Sequence, residues 1–187
     1  MNYVITVNLT APRYLHTVHV LQSFNLTVHP ILTSYGERVY LRRANLIYGH
    51  MNALQRIIAS EQKWGRVFED DIELQKGSEH LYDAFKFFNG SVLYGLCDPV
   101  LKRPHMYVGL CTHAYALTAD DAHLFLKELI KHNNQTGPDR SFRKVMNRLR
   151  GLPVIGAELV SPENVHHIGL FYQRRSKFPG TIGYGSG

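Results

Sequence analysis

Tyr3-Val4-Ile5-Thr6-Val7 is an unbroken, largely β-branched run close to the start of the chain. A run of that kind suits a strand buried on both faces, which requires layers of structure above and below it. Pro12 then stands where a helix begins, because its missing N–H costs nothing in a first turn. From Tyr14 to Phe24 the apolar residues Leu15, Val18 and Leu21 fall at helical spacing, and Val28-Pro30-Ile31-Leu32 reads as a second strand ending at Tyr35-Gly36. The opening is therefore a β-α-β unit.

The alternation continues downstream. Met51, Leu54, Ile57 and Ile58 predict a helix over 49–61, which Trp64-Gly65 closes before Arg66-Val67-Phe68 enters a strand. A helix over 80–88, strands over 91–96 and 112–117, and a helix from Ala119 to about Lys131 follow, the last with Thr118 as N-cap and Asp121 at the third helical position. Beyond a polar loop over 132–138, a helix over 140–149 and an extended Pro153-Val154-Ile155 are expected, and 177–187 reads as a flexible tail. Strands alternating with helices predict an α/β fold. At 187 residues a single domain over 1–187 is expected, with a core large enough to need no metal or disulfide staple.

The net charge of +6 would attract nucleic acid, an anionic membrane or a phosphorylated small molecule alike. The basic residues come as short pairs, Arg42-Arg43, Lys102-Arg103 and Arg174-Arg175, with a looser cluster over 140–150, not as a block interleaved with aromatics, so nucleic acid is not the expected partner. Two cysteines, Cys97 and Cys111, are too few for a disulfide framework. The first residues turn polar too soon for a signal peptide, and no run approaches the ~20 apolar residues that span a bilayer. A soluble, cytoplasmic protein without a transmembrane segment is the expectation.

Glu69-Asp70-Asp71 follows the strand that ends near Phe68. Open α/β sheets bind ligands in the crevice beyond the carboxyl ends of their strands, so this acidic run stands where a ligand is expected. On a continuing strand Glu69 and Asp71 share one face and Asp70 takes the other. A carboxylate pair of that kind suits Mg2+ or Mn2+, which leave coordination positions for the diphosphate oxygens of a nucleotide. The bland alternative is a solvated acidic turn.

Four segments, in order, resemble glycosyltransferase family 25, the lipooligosaccharide and procollagen galactosyltransferase type. They are Tyr3-Val-Ile-Thr-Val-Asn-Leu with Arg13, Gly49-His50, Val67-Phe-Glu-Asp-Asp-Ile-Glu, and Thr112-His-Ala-Tyr-Ala-Leu-Thr. The most specific piece is Gly49-His50 followed by Phe68-Glu-Asp-Asp-Ile, although the family usually has Ser before that His, where Gly49 stands here. The resemblance implies a GT-A-like fold, with a mixed, mostly parallel sheet flanked by helices. It implies a metal-dependent transferase that moves a hexose such as galactose or glucose from a UDP-sugar to a glycan or protein-linked acceptor. Mn2+ or Mg2+ would sit at the acidic motif, with Glu69 and Asp71 as metal ligands and Asp70 toward the nucleotide. Asp139, after Pro138, matches the family's downstream aspartate and is the candidate acceptor-side base, with helix N-cap as its alternative role. In many GT-A-like enzymes a C-terminal histidine completes the metal shell, which makes His167, or its neighbour His166, the third candidate ligand.

Arg13 is a candidate for the nucleotide phosphates, because a guanidinium fork matches phosphate geometry. Asn8, also beyond the first strand, is a candidate for the nucleoside, with an ordinary turn as its alternative. Cys97, Cys111 and His113 lack the spacing of a zinc site. No glycine-rich dinucleotide or P-loop motif occurs. Two rival functions stay open: a two-metal nuclease using Asp70, Asp71, Glu73 and Lys76, and a carbohydrate-binding module without turnover.

Overall fold

The structure is a computed structural model that describes residues 1–34, 39–74, 76–94, 113–136 and 170–173. Period-two alternation within each strand decides which layer a side chain enters. β1 (Asn2–Thr6) sends Tyr3 and Ile5 to one face of the main sheet and Val4 to the other. β3 (Trp64–Glu69) separates Val67 from Phe68 in the same way, and β6 (Ala114–Thr118) separates Tyr115 and Leu117 from Ala114 and Ala116. Both faces are covered, which is why these strands read as continuous apolar runs.

The first face packs against α2 (Val39–Ala59) and α4 (Ala119–Thr136), through Ile47, Leu54 and Ile57 of one and Ala122, Phe125 and Leu129 of the other. The second face packs against α1 (Pro12–Gln22) and α3 (Tyr82–Phe87), through Tyr14, Val20 and Leu21 and through Phe85. With β2 (His29–Leu32) and β5 (Val92–Leu93), the sheet order is β2-β1-β3-β6-β5. β1 pairs in parallel with β2 and β3, and β6 runs antiparallel to β3 and β5, so among the described strands of this sheet β6 alone opposes the common direction. The expected mixed, mostly parallel sheet flanked by helices is the observed one.

A two-stranded sheet of β4 (Ile72–Leu74) and β7 (Phe171–Gln173) lies beyond β3. It is tied to the main sheet where the carbonyl of Tyr94 accepts from the amides of Leu170 at 2.8 Å and Phe171 at 3.0 Å. Phe85 packs edge-on against Tyr94 and Phe171, with ring centres 4.8 and 5.3 Å apart. Such edge-to-face contacts add to the gain from burying the rings.

From β1 the chain crosses by α1 to β2 on one side, then by α2 on the opposite face to β3 on the other side. The strand order therefore reverses between β1 and β3, and the place beyond the carboxyl ends of strands at such a reversal is the crevice in which open α/β sheets bind ligands.

Several elements differ from their expected bounds, among them three helical segments. α2 starts at Val39, before the expected 49, because Gly49 lies inside the helix and does not open it. α4 runs to Thr136, past the expected end near Lys131, since polar residues other than Gly and Pro do not by themselves break a helix. The segment expected as one helix over 80–88 is a 3-10 turn, Glu79–Leu81, leading into α3. The expected helix over 140–149, the extended 153–155 and the tail over 177–187 lie outside the described residues. Among the described residues no helix is long and apolar enough to cross a membrane.

Candidate functional site

Ile5 of β1 stands opposite Glu69 of β3 in the sheet register, so the chain that leaves β1 and the acidic run that leaves β3 emerge side by side. β3 ends at Glu69, and Asp70 and Asp71 belong to the turn before β4. Strand alternation therefore does not place Asp71, contrary to the pairing with Glu69 that a longer strand would impose.

Asp70 joins three elements. Its Oδ2 accepts from the Thr6 hydroxyl at 2.5 Å and from Arg13 Nε at 3.0 Å. The end of β1, the first turn of α1 and the β3–β4 turn are thus pinned to one carboxylate oxygen. Burial raises the Asp70 carboxyl above its ordinary range; Arg13 and the Thr6 hydroxyl oppose that rise, and the neighbouring charge of Glu69 adds to it. A second tie between α1 and this region is the contact of His16 Nε2 with Glu73 Oε2 at 3.0 Å.

Glu69 turns to the opposite face of the sheet. Its Oε1 lies 3.5 Å from Nε2 of His50, which is wholly buried on α2. The other ring nitrogen of His50 is 3.0 Å from the Tyr115 hydroxyl, and the two rings stack with centres 5.8 Å apart. Gly49 makes this approach possible. A Cβ there would come within 2.6 Å of Ile5 Cγ2 and 2.7 Å of Thr33 Cγ2, so only glycine lets α2 lie this close to the strand ends.

Three consecutive acids are thus almost wholly withdrawn from water: Glu69 is 9% exposed, Asp70 5% and Asp71 7%. That excludes the solvated acidic turn. Asn8 is exposed, and its Oδ1 accepts from the Thr10 amide and hydroxyl, each at 2.9 Å, which is the turn geometry expected of an asparagine there. Arg13 reaches the crevice through its contact with Asp70. Asp139, His166 and His167 lie outside the described residues, as do Cys97 and Cys111.

Thr6 and Tyr115 are site residues that sequence reasoning alone does not find. Thr6 carries a weak signal, as a hydroxyl closing an apolar strand at its carboxyl end. Tyr115 carries none, since an aromatic on a buried strand reads as core.

No protein-family model matches the sequence, and no curated protein matches it. A solved structure described as a glycosyltransferase involved in the glycosylation of the major capsid of PBCV-1 is similar over 92% of this chain and 94% of that one, with a TM-score of 0.53 at 7% identity. The fold is one that a glycosyltransferase uses. The apo form of the glycosyltransferase GlyE of Streptococcus pneumoniae TIGR4 matches 82% of this chain to 44% of its own, with a TM-score of 0.47 at 12% identity, a likeness too loose to carry argument. The likeness to the capsid glycosyltransferase is one of fold, and it does not single out family 25.

Proposed function

We propose that the chain is a metal-dependent glycosyltransferase that moves a hexose from a UDP-sugar to a hydroxyl of a glycan or glycoprotein. One observation carries the reading: a buried carboxylate cluster, Glu69 to Asp71, lies at the crevice where the strand order reverses, in a fold shared with a glycosyltransferase. Burying adjacent anions is costly, and a bound cation offsets that cost.

The donor set fits a hard divalent ion. Carboxylate oxygens suit Mg2+ or Mn2+, and among the described residues no three His, Cys, Asp or Glu side chains gather into a protein-only cage. An ion here would take its remaining ligands from diphosphate oxygens and water, as Mg2+ does at nucleotide sites. Glu69 and Asp71 are the residues that would hold it, and His167 stays a candidate from outside the described residues. When bound, the cation supplies neutralisation of the departing diphosphate.

The chain's own groups would divide the remaining work. Arg13, held at Nε by Asp70, offers a guanidinium to the phosphates while Asp70 fixes its place. In the transfer itself the bond from the anomeric carbon to the diphosphate oxygen breaks and UDP leaves. The acceptor hydroxyl oxygen bonds to that carbon, and its proton passes to a carboxylate, for which Asp139 is the candidate.

Release of UDP from UDP-galactose and UDP-glucose, followed with Mn2+ and with a chelator, tests the reading. Metal-dependent release, with single-stranded and duplex nucleic acid left intact, is the expected result. Cleavage of nucleic acid with UDP-sugars untouched would replace it by the nuclease reading, and binding of UDP-sugar without release would replace it by the binding module.

A further inference from the structure

The proposed function leaves a buried polar pair on the opposite face of β3 without a task. His50 and Tyr115 are both inaccessible to solvent, and Tyr115 belongs to the core cluster with Ile5, Val67 and Leu54. Buried polar groups are costly unless satisfied, and an apolar pair of similar shape would fill the same space without that cost. Their geometry leads to one place. Tyr115 sits beside Val67 in the β3–β6 register, one step from Glu69 on the same face, and its hydroxyl is 3.0 Å from His50 Nδ1. The far ring nitrogen, Nε2, faces Glu69 Oε1 at 3.5 Å.

We infer that Tyr115 and His50 form a relay of positioning residues, in which the Tyr115 hydroxyl donates to His50 Nδ1 and so leaves the Nε2 proton directed at Glu69, fixing that carboxylate for a divalent cation. This inference rests on the proposed metal-dependent function.

The tautomer follows from the two ends of the relay. A phenol keeps its proton at neutral pH and can either donate to Nδ1 or accept from it, so the Glu69 end decides between the two. With Nδ1 accepting, a neutral imidazole carries its proton on Nε2, and that N–H faces the carboxylate. The opposite tautomer would set a nitrogen lone pair against an anion. Gly49 belongs to the same device, because the close approach of α2 that it allows brings His50 to the end of β3. Groups of this kind behind a metal ligand orient it, and their loss typically lowers metal affinity about 10- to 100-fold.

Two measurements on the full chain test the relay. Nitrogen NMR of the metal-free protein reads which ring nitrogen of His50 carries the proton. Nε2–H with bare Nδ1 is expected, and a ring protonated at Nδ1, alone or together with Nε2, overturns the relay. Mn2+ titration, followed by the loss of the free-ion paramagnetic signal, then compares the native protein with Tyr115→Phe and His50→Gln. Tyr115→Phe removes one oxygen, keeps the ring and takes away the phenol contact of buried His50 Nδ1, so a folded protein of reduced thermal stability with Mn2+ affinity lowered about 10-fold or more is the expected result. His50→Gln should weaken Mn2+ at least as much, and Tyr115→Phe combined with it should add little, because both act through Glu69. Native Mn2+ affinity in a folded Tyr115→Phe protein overturns the relay and leaves the proposed function standing. A native protein that binds no Mn2+, with or without UDP, overturns both.

Discussion

Glu69, Asp70 and Asp71 are consecutive in sequence and divergent in space. Asp70 faces α1 and is consumed in holding Thr6 and Arg13, whereas Glu69 faces α2 and His50. On this account Asp70 organises the crevice and Glu69 and Asp71 serve the cation. Asp71→Ala is expected to abolish Mn2+-dependent binding of UDP-sugar while the far-ultraviolet circular dichroism stays native; unchanged affinity with Mn2+ would remove Asp71 from the site. The acids were legible in the sequence because charge after an apolar strand is conspicuous. Their division of labour was not, since it depends on β3 ending at Glu69, and the end of a strand is poorly marked when the next residues are a turn into another strand.

Gly49 shows how one residue misleads at the level of an element. A glycine before a periodic apolar stretch reads as a helix boundary, yet here it sits within α2 at a point of close contact with β1. Gly49→Ala would ordinarily gain up to about 1 kcal/mol of helix propensity. The new Cβ would meet the stiff β-branched side chains of Ile5 and Thr33, and overpacking of that kind costs about 1–3 kcal/mol, so a net loss of stability is expected in urea denaturation. A more stable Gly49→Ala would show that α2 has room to spare. The start of α4, by contrast, was legible. Thr118 Oγ1 accepts from the Asp121 amide at 3.3 Å and donates to its carboxylate at 3.1 Å, and Ser91, just before β5, accepts from the Thr118 amide at 3.0 Å. Thr118→Ala is expected to cost about 1 kcal/mol by the same measurement, the usual loss for a helix cap.

Across the whole molecule, Arg66 and the order of the strands matter most. Arg66, on β3, donates to Asn2 Oδ1 at 3.2 Å, to the Phe85 carbonyl at 2.7 Å and to the Tyr94 hydroxyl at 3.2 Å, and lies 4.5 Å from the Trp64 ring centre. It joins β1, β3, α3 and the end of β5, and nothing in the sequence distinguished it from a surface arginine. Arg66→Ala would leave several buried acceptors without donors, and a loss of about 2–4 kcal/mol is expected from urea denaturation. Burial pushes the Tyr94 phenol up to about 12, against 10 when unfolded. A raised folded value means stability that is complete below pH 10 and declines as the pH rises toward about 12, by roughly 1.4 kcal/mol for each pH unit within that window. Tyr94→Phe is therefore expected to flatten the loss of thermal stability over that window, and an unchanged slope would assign the loss to other groups.

The alternation of strands and helices was legible along most of the described chain, because the periods of two and of about 3.6 residues survive in the apolar residues. Pairing between distant strands, which sets the reversal between β1 and β3, leaves no local trace. That reversal makes the crevice, and the crevice is what the proposed function needs. Calorimetric titration of UDP-galactose into the protein, with and without Mn2+, tests this most directly. Binding that appears with Mn2+ and is lost without it is the predicted result, and no binding in either condition would contradict the account.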